Sequence, residues 1–286
     1  MLPDRYVSFP LLAERHGALD PASSDLTPYE ARCFSQNGED GVIAELLRRC
    51  GSGPRWFVEF GVGAGNEGNC VLLADMLGWS GLFMEADPAQ FGGLQRKYGN
   101  VERVRTVQAT VGPENIDELL GAAGVPREID VLSIDVDGID YWIWDAIEAV
   151  EPRIVVVEYN SALDPTRRVT KPKDAREKWD ETDYFGASLG ALSSLAERKG
   201  LRLAYTDLSG ANAFFVREGL TTGLPAPDEV EARAPNYHLS GLRLARDPQD
   251  RPWWDLDAER LVRVERDSPP SVPPQRSRRP WRRRRR

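Results

Sequence analysis
The chain has 286 residues, of which 41% are hydrophobic and 29% are charged, as in an ordinary globular protein. The net charge of −8 hides an asymmetry: residues 267–286 hold eight arginines and one aspartate, a net of +7, so the remainder carries −15. This acidic body argues against nucleic acid as a partner, and the lack of any run of about 18 apolar residues argues against a membrane span.

The first segment, residues 1–34, is mixed in composition and interrupted by prolines, and we expect an irregular or partly helical lead-in. It lacks the sustained apolar core of a signal peptide. Cys33, Cys50 and Cys70 are an odd number of cysteines without the spacing of a metal site, so we expect free thiols in a reducing compartment. These features together predict a cytoplasmic protein.

From residue 35 onward, helical patterns alternate with short apolar runs. SQNGEDGVIAELLRRCG, at 35–51, predicts a helix that Ser35 or Asn37 caps, with acidic residues in its first turn and arginines in its last. Apolar runs of strand length follow at 56–61, 81–87, 103–110, 130–136, 153–160, 201–208 and 212–218. Helix-like segments are expected between the first six of them, near 69–77, 88–97, 115–121, 139–149 and 186–199.

This alternation predicts an α/β fold, in which right-handed βαβ units form a mostly parallel, seven-stranded sheet with helices on both faces. The last two runs lie so close in sequence that we expect an antiparallel pair, with the last strand reversed. The predicted domain covers 35–220. Within it, residues 163–186 form a connection long enough to be a functional loop or lid.

Beyond this domain, proline, charge and tryptophan dominate, and no clear order of elements emerges. We expect residues 221–266 to be an extension packed on the domain. Residues 267–286, DSPPSVPPQRSRRPWRRRRR, are predicted to be disordered. Such an arginine run is typical of an interaction arm for nucleic acid, for anionic lipid or for the acidic body itself, and the sequence selects none of these.

A glycine-rich turn follows the first predicted strand. WFVEFGVGAG, at 56–65, has the form E-x-G-x-G-x-G, beginning at Glu59, Gly61 and Gly63. It is either a tight strand–helix turn or a site for a nucleotide-like ligand, since glycines let the backbone approach a ligand closely. A dinucleotide turn, G-x-G-x-x-G, counted from Gly61 needs a glycine where Asn66 stands, and a match shifted to Gly63 begins two residues late. The carboxylate of Glu59 would repel a pyrophosphate, whereas it can accept hydrogen bonds from the ammonium of S-adenosylmethionine.

Further cofactor residues are predicted from their places in the chain. Glu85 ends the second strand, where an acidic residue can bind both ribose hydroxyls, and a solvated strand end is the alternative. Thr110 ends the third strand, where adenine is expected to lie. Gln36, in SQNGED, is placed to cover the methionine end of the cofactor, with helix capping as the alternative.

These motifs resemble those of class I S-adenosylmethionine-dependent methyltransferases. More narrowly, SQNGED, FVEFGVGAGNEGN, LGWSGLFMEADP and SIDVDGIDYW are similar to stretches of the FkbM-like methyltransferases, over about residues 33–218. The resemblance implies a Rossmann-like class I methyltransferase fold, S-adenosylmethionine as cofactor, and a sugar or natural-product hydroxyl as acceptor. One motif departs from the family: D-x-E-G after the fourth strand is here Asp135-Val136-Asp137-Gly138, which weakens the assignment of the acceptor.

Acidic side chains also gather at the ends of the fourth and fifth strands. Asp135 and Asp137 follow one strand in SIDVDGID, and Glu158 and Asn160 end the next in VVVEYN. If both segments stay extended, each pair shares one face, and neighbouring strands lie about 4.8 Å apart. Oxygen ligands of this kind suit Mg²⁺, Mn²⁺ or Ca²⁺ rather than zinc. A metal there would lower the pKa of an acceptor hydroxyl, an arrangement similar to that of metal-dependent O-methyltransferases.

Other roles stay open for these residues. Asp135 is also a candidate for the edge of the cofactor site, and Asp137 for a turn after which Asp140 caps the next helix. Without a metal, Asp137 or Glu158 is the predicted proton acceptor, because the chain has only two histidines. Of these, His238 is a candidate general base in the C-terminal part.

The sequence therefore predicts an S-adenosylmethionine-dependent O-methyltransferase that acts on a small-molecule hydroxyl, with Mg²⁺ or Mn²⁺ as a candidate second cofactor. Two alternatives belong to other classes: a metal-dependent hydrolase on the same fold, and a non-catalytic cofactor-binding partner in a biosynthetic complex. A homo-oligomer is compatible with the sequence.

Overall fold
The computed structural model describes residues 8–175, 179–236, 239 and 244–264 of the chain. The predicted disordered tail at 267–286 and the candidate base His238 lie outside the described residues. The α-helices are α1 (Phe9–Gly17), α2 (Glu39–Cys50), α3 (Val71–Asp75), α4 (Pro88–Tyr98), α5 (Ile116–Ala122), α6 (Asp140–Ala146) and α7 (Leu189–Arg198). The strands are β1 (Trp56–Phe60), β2 (Ser80–Glu85), β3 (Val104–Gln108), β4 (Glu128–Ile134), β5 (Glu151–Glu158), β6 (Val169–Thr170), β7 (Leu201–Thr206), β8 (Asn212–Arg217), β9 (Trp253–Asp255) and β10 (Arg260–Val262).

The main sheet has seven strands in the order β3-β2-β1-β4-β5-β8-β7. Strands β1 to β5 run parallel to their neighbours among themselves, whereas β8 runs antiparallel to both β5 and β7. The predicted fold class is therefore confirmed: a Rossmann-like, mostly parallel sheet of the class I methyltransferase type, with a reversed last strand. The predicted strand pair of 201–208 and 212–218 is confirmed as well, because β7 and β8 are hydrogen-bonded.

Helices cover both faces of the sheet because strand residues are apolar on both sides. Phe57 and Val131 point to the side on which α2, α3 and α4 pack. Val58 and Leu132 point to the opposite side, against α5, α6 and α7. The side that carries α2, which we call the α2 face, also carries the candidate site.

The α2 face changes from apolar to polar at the carboxyl ends of the parallel strands. Along β1 the apolar Phe57 is followed two positions later by Glu59, and along β5 Val156 is followed by Glu158. Along β8, which runs in the opposite direction, Asn212 lies at the same end of the sheet and directly opposite Glu158. Side chains two positions apart share a face of a strand. Glu59, Glu158 and Asn212 therefore project from one face, at the edge where ligands of open α/β sheets bind.

A small second sheet joins the long connection after β5 to the C-terminal part. Strand β9 pairs antiparallel with β10 and with β6, which lies inside the predicted loop of 163–186. Leu163, Val169, Tyr184 and Trp253 pack in a separate apolar cluster, in which Trp253 is fully buried. No order of elements was predictable here, because strands of two and three residues are too short to show a period-two pattern.

Two expectations from composition can be compared with the structure. Cys33, Cys50 and Cys70 are free thiols, as predicted. Across the described parts of the chain, every helix is too short or too polar to cross a bilayer.

Candidate functional site
The glycine-rich turn after β1 contains three glycines with a left-handed backbone. Gly61, Gly63 and Gly65 have φ values of +73°, +59° and +74°, a region that residues with a Cβ rarely adopt. At Gly61 close packing adds a second requirement, because a Cβ there would lie 2.0 Å from the carbonyl oxygen of Asp135. The turn is therefore in direct contact with the chain at the end of β4.

A cleft lies beside this turn, on the α2 face. Residues from the segment before α2, from the turn and from the ends of β4 and β8 line it. Four lining residues are carboxylates, Glu39, Glu59, Glu67 and Asp135, and no described lining residue is a lysine, an arginine or a histidine. A cleft with this charge favours a cationic ligand and disfavours a pyrophosphate.

Glu59 is buried at the base of this cleft. Its two carboxylate oxygens accept hydrogen bonds from the backbone N–H groups of Asn69, at 2.7 Å, and of Cys70, at 2.9 Å. Burial raises the pKa of Glu59 to about 7, and these hydrogen bonds oppose that shift. Glu59 thus orders the chain that follows the glycine turn, while it still faces the ligand space. Its predicted contact with the cofactor stays a prediction.

The carboxylate of Glu85 also contacts the glycine turn. It accepts hydrogen bonds from the N–H of Gly63 at 2.8 Å and from the N–H of Asp87 at 2.7 Å. Glu85 therefore holds the turn in position, and each oxygen keeps a second lone pair for a ribose hydroxyl. Thr110 lies two residues beyond β3 and is exposed. The ribose and adenine roles of Glu85 and Thr110 stay predictions.

The SQNGED segment forms another wall of the cleft. The Oδ2 atom of Asp40 accepts hydrogen bonds from three successive backbone N–H groups, those of Cys33, Phe34 and Ser35, at 2.8, 2.7 and 2.6 Å. In return, the hydroxyl of Ser35 accepts from the N–H of Asp40, in the first turn of α2. These bonds fix the loop that carries Gln36, whose side chain lines the cleft and donates to Glu67 at 2.9 Å.

Three of the four predicted metal ligands converge at the ends of β4 and β5. One carboxylate oxygen from each of Asp135, Asp137 and Glu158 lies within 4.8 Å of the others. The segment after β4 does not stay extended, because Asp137 has a φ of +55° and turns the chain, whereas β5 remains a strand through Glu158. Aspartate tolerates this left-handed conformation better than most residues. We call these three residues the carboxylate cluster.

The surroundings of the carboxylate cluster disfavour negative charge. Burial, together with the charges of the neighbouring carboxylates, raises the pKa of Asp135 and of Glu158 well above their ordinary values. Burial also raises the pKa of Asp137. The Oε2 atom of Glu158 is buried and has no hydrogen-bond partner among the described residues. A buried acceptor without a donor, amid like charges, is what a cation would compensate.

Asp140 does not cap its helix through its side chain, contrary to the expectation. It is the first residue of α6, and its two oxygens accept from the N–H groups of Val136, at 2.8 Å, and Gly138, at 3.0 Å, both of which precede the helix. The buried carboxylate therefore shapes the turn that presents Asp137. Burial raises the pKa of Asp140 to about 6.

Asn160, the fourth predicted metal ligand, is engaged elsewhere. Its Nδ2 donates to the carbonyl oxygens of Asp183 and Phe185, both at 2.9 Å, and its Oδ1 accepts from the N–H of Ala162 at 3.1 Å. These bonds join the end of β5 to the connection before α7. The observed contacts of Asn160 are thus structural, and its place in a metal site stays a prediction.

A lysine from the long connection borders the carboxylate cluster. Lys171 is fully buried, and its Nζ lies so close to Gly138 that a Cβ on that glycine would be 3.5 Å away. Its backbone is fixed, because its N–H donates to the carbonyl of Gly186 and its own carbonyl accepts from the indole of Trp142. This neighbour was not predictable from local patterns, because Lys171 is more than 30 residues from Asp137 in sequence.

Sequence reasoning also missed the place of Glu39 in the site. Glu39 lies in the first turn of α2, as predicted, and its carboxylate also lines the cleft and accepts from the side chain of Asn212 at 2.8 Å. Asn212 itself lies in the cleft beside the glycine turn. The pairing of residues 173 positions apart leaves no trace in local periodicity.

No family model matches the sequence, and no curated protein matches it. Solved structures that resemble the fold include the N-terminal domain of EvdMO1 with SAH bound (14% identity, 74% of this chain and 97% of that chain, TM-score 0.41). They also include an S-adenosylmethionine-dependent methyltransferase from Clostridium acetobutylicum (9% identity, 62% and 89%, TM-score 0.39) and the methyltransferase domain of METTL16 (14% identity, 61% and 64%, TM-score 0.38). The chain thus spans less than two thirds of the METTL16 domain. With TM-scores this low, the fold assignment rests on the strand order and directions of the chain itself.

Proposed function
We propose that the chain is an S-adenosylmethionine-dependent methyltransferase. The acidic cleft beside the glycine turn is the observation that supports this most directly. S-adenosylmethionine carries a sulfonium and an ammonium, so two positive charges would meet the carboxylates of Glu39, Glu59 and Asp135. A nicotinamide dinucleotide would instead bring its pyrophosphate against the same carboxylates.

The proposed cofactor site follows the ends of β1 to β4. When bound, S-adenosylmethionine supplies an electrophilic methyl group on its sulfonium. The residues of the chain orient the cofactor: the backbone of the turn approaches it closely, and carboxylates at either end bind its polar groups. The residues proposed for this role are Gln36, Glu59, Gly61, Gly63, Glu85, Thr110 and Asp135.

The methyl acceptor is proposed to lie beside Asp137 and Glu158. Methyl transfer is an in-line displacement, so the attacking oxygen must be aligned and must lose its proton. A carboxylate with a raised pKa is better matched to this proton transfer than one with its ordinary pKa, and burial raises the pKa of both residues. We propose O-methylation of a sugar or secondary-metabolite hydroxyl, as in the FkbM-like enzymes that the motifs resemble.

The carboxylate cluster also fits a divalent cation. Asp135, Asp137 and Glu158 offer hard oxygen ligands within 4.8 Å of one another, and the buried Oε2 of Glu158 has no hydrogen-bond partner among the described residues. Mg²⁺ or Mn²⁺ suits such ligands. When bound, the ion would supply Lewis acidity that lowers the pKa of the acceptor hydroxyl.

Calorimetry with S-adenosylhomocysteine tests the cofactor proposal. The wild-type chain is expected to bind it at micromolar concentration and to show no binding of NAD⁺ under the same conditions. The discrimination between these two ligands is the critical result, since both contain adenosine. Absence of S-adenosylhomocysteine binding at high micromolar concentration would contradict the proposal.

The metal is tested by titrating Mn²⁺ and Mg²⁺ against the wild type, Asp137→Ala and a control, Asp228→Ala, which removes an exposed carboxylate outside the cluster. We expect Asp137→Ala alone to weaken binding. Equal and negligible affinity for the ion in all three proteins would contradict the proposed metal site. Metal binding without S-adenosylhomocysteine binding would favour the hydrolase alternative. Cofactor binding without methyl transfer to any of a panel of sugar and natural-product hydroxyls would favour a non-catalytic partner.

A further inference from the structure
The amide of Asn212 has an unused hydrogen-bond acceptor. Asn212 is 6% exposed and lines the cleft together with Glu59 and Gly61. Its Oδ1 is buried and accepts no hydrogen bond from any residue that the structure describes. Leaving such a buried acceptor unpaired is unfavourable. A donor supplied by a ligand in the cleft would remove that cost.

Neighbouring groups fix the direction of this acceptor. The Nδ2 atom of Asn212 donates to Oε1 of Glu39 at 2.8 Å. The backbone N–H of Asn212 donates to Oδ2 of Asp207 at 3.1 Å, which anchors the start of β8. Turning the amide over would place Oδ1 against the carboxylate of Glu39, with two acceptors facing each other. Oδ1 is therefore held away from Glu39.

The surroundings of Oδ1 select the kind of donor. Both oxygens of Glu39 are held by Asn37, one by its backbone N–H at 2.7 Å and one by its side chain at 3.2 Å. Neither these donors nor the described residues lining the cleft bring a positive charge to Glu39. A neutral hydroxyl would satisfy Oδ1 and leave the charge of Glu39 uncompensated. A primary ammonium would donate to Oδ1 and also compensate the charge of Glu39, because it has three N–H donors and a positive charge.

We infer that Asn212, positioned by Glu39, binds the α-ammonium of S-adenosylmethionine. This rests on the proposed function, which supplies the ligand. The reversed strand of the sheet then contributes a binding residue to the cofactor, in addition to those at the ends of the parallel strands. Glu59, whose oxygens already hold Asn69 and Cys70, adds charge to this end of the cleft and orders the turn.

Two ligands that differ by one group test the assignment. Calorimetry compares S-adenosylhomocysteine with its analogue in which hydrogen replaces the α-amino group. A hydrogen bond to a charged group contributes about 1.5–3 kcal/mol, so the wild type should bind the analogue at least about tenfold more weakly. Asn212→Ala should lose about tenfold in affinity for S-adenosylhomocysteine and less than about twofold for the analogue.

Asn37→Ala is the matched control, because Asn37 also donates to Oε1 of Glu39 but does not line the cleft. It should affect both ligands alike. Equal affinity of the wild type for the two ligands would overturn the inference, and so would an equal loss for both ligands in Asn212→Ala. If that variant does not fold, Asn212→Ser, which also removes the amide oxygen, is compared with the wild type on the same two ligands, with the same expected result. If the wild type binds neither ligand, the proposed function fails, and the inference fails with it.

Discussion
Replacement of Asp40 by asparagine should change how the stability of the protein depends on pH. Asp40 is fully buried, and one of its oxygens accepts all three hydrogen bonds from residues 33–35, while the other, Oδ1, has no partner among the described residues. An asparagine can place its carbonyl oxygen at the first position and its NH₂ group at the second. Asp40→Asn thus removes the charge and keeps the three acceptor contacts.

The magnitude follows from the pKa of Asp40, which burial raises from 3.8 to about 6. The folded state holds this proton at pH values where the unfolded chain has already lost it, so the group favours folding at low pH. As the pH rises from 3.8 to about 6, that contribution is lost. At about 1.36 kcal/mol per pH unit, the loss is about 3 kcal/mol, most of it between pH 4 and pH 7. In the asparagine variant this component is absent.

Urea denaturation of both proteins at several pH values between 4 and 8 measures the effect. Other buried carboxylates titrate in both proteins, so the informative quantity is the difference in the free energy of unfolding between variant and wild type. It should shift in favour of the variant by roughly 2–3 kcal/mol from pH 4 to pH 7. Asp20→Asn, at an exposed site, controls for the loss of one negative charge. A difference that stays constant with pH would refute the reasoning.

Three further predictions concern the cleft and the carboxylate cluster. Gly61→Ala should abolish cofactor binding, because the added Cβ would lie 2.0 Å from a carbonyl oxygen. Gly78 has a similar φ of +68° and no atom within 4 Å of an added Cβ, so Gly78→Ala should retain cofactor binding in the same calorimetric assay. The pKa of Glu59 is raised to about 7, so its carboxyl group becomes mostly ionised above that pH. The affinity for S-adenosylmethionine should therefore rise about tenfold from pH 6 to pH 8. 5′-Methylthioadenosine, which lacks the ammonium, should show a smaller change. Because Asp135 borders both sites, saturating S-adenosylmethionine should weaken Mn²⁺ binding more than S-adenosylhomocysteine does, and equal effects would show that the sulfonium charge is not felt at the cluster.

The main sheet was predictable because each of its strands has a local signal. Apolar runs of six to eight residues, separated by helical patterns, located all seven strands. The direction of β8 followed from the short connection after β7, which leaves no room for a crossover. The second sheet had no such signal. Strand β6 pairs with residues more than 80 positions away, and its two residues are Val169 and Thr170.

The candidate site was predictable in its residue types and less so in their contacts. Asp135, Asp137 and Glu158 could be placed together, because the ends of adjacent parallel strands must meet. Asn160 shows the limit of this reasoning: two residues beyond β5, its amide donates to the backbone carbonyls of Asp183 and Phe185. The period-two alternation holds only while the chain stays extended, and the chain leaves that conformation at Asp137, where φ is +55°.

Asp135 decides how the two halves of the site are related. Its backbone carbonyl contacts Gly61, so the cofactor turn and the end of β4 cannot move independently. Its side chain lines the cleft and also belongs to the carboxylate cluster. Burial and the neighbouring carboxylates raise its pKa, so a cation bound on either side would favour its ionised form. If the cofactor and the acceptor bind as proposed, the methyl group and the acceptor would both lie next to Asp135, as a single reaction centre requires.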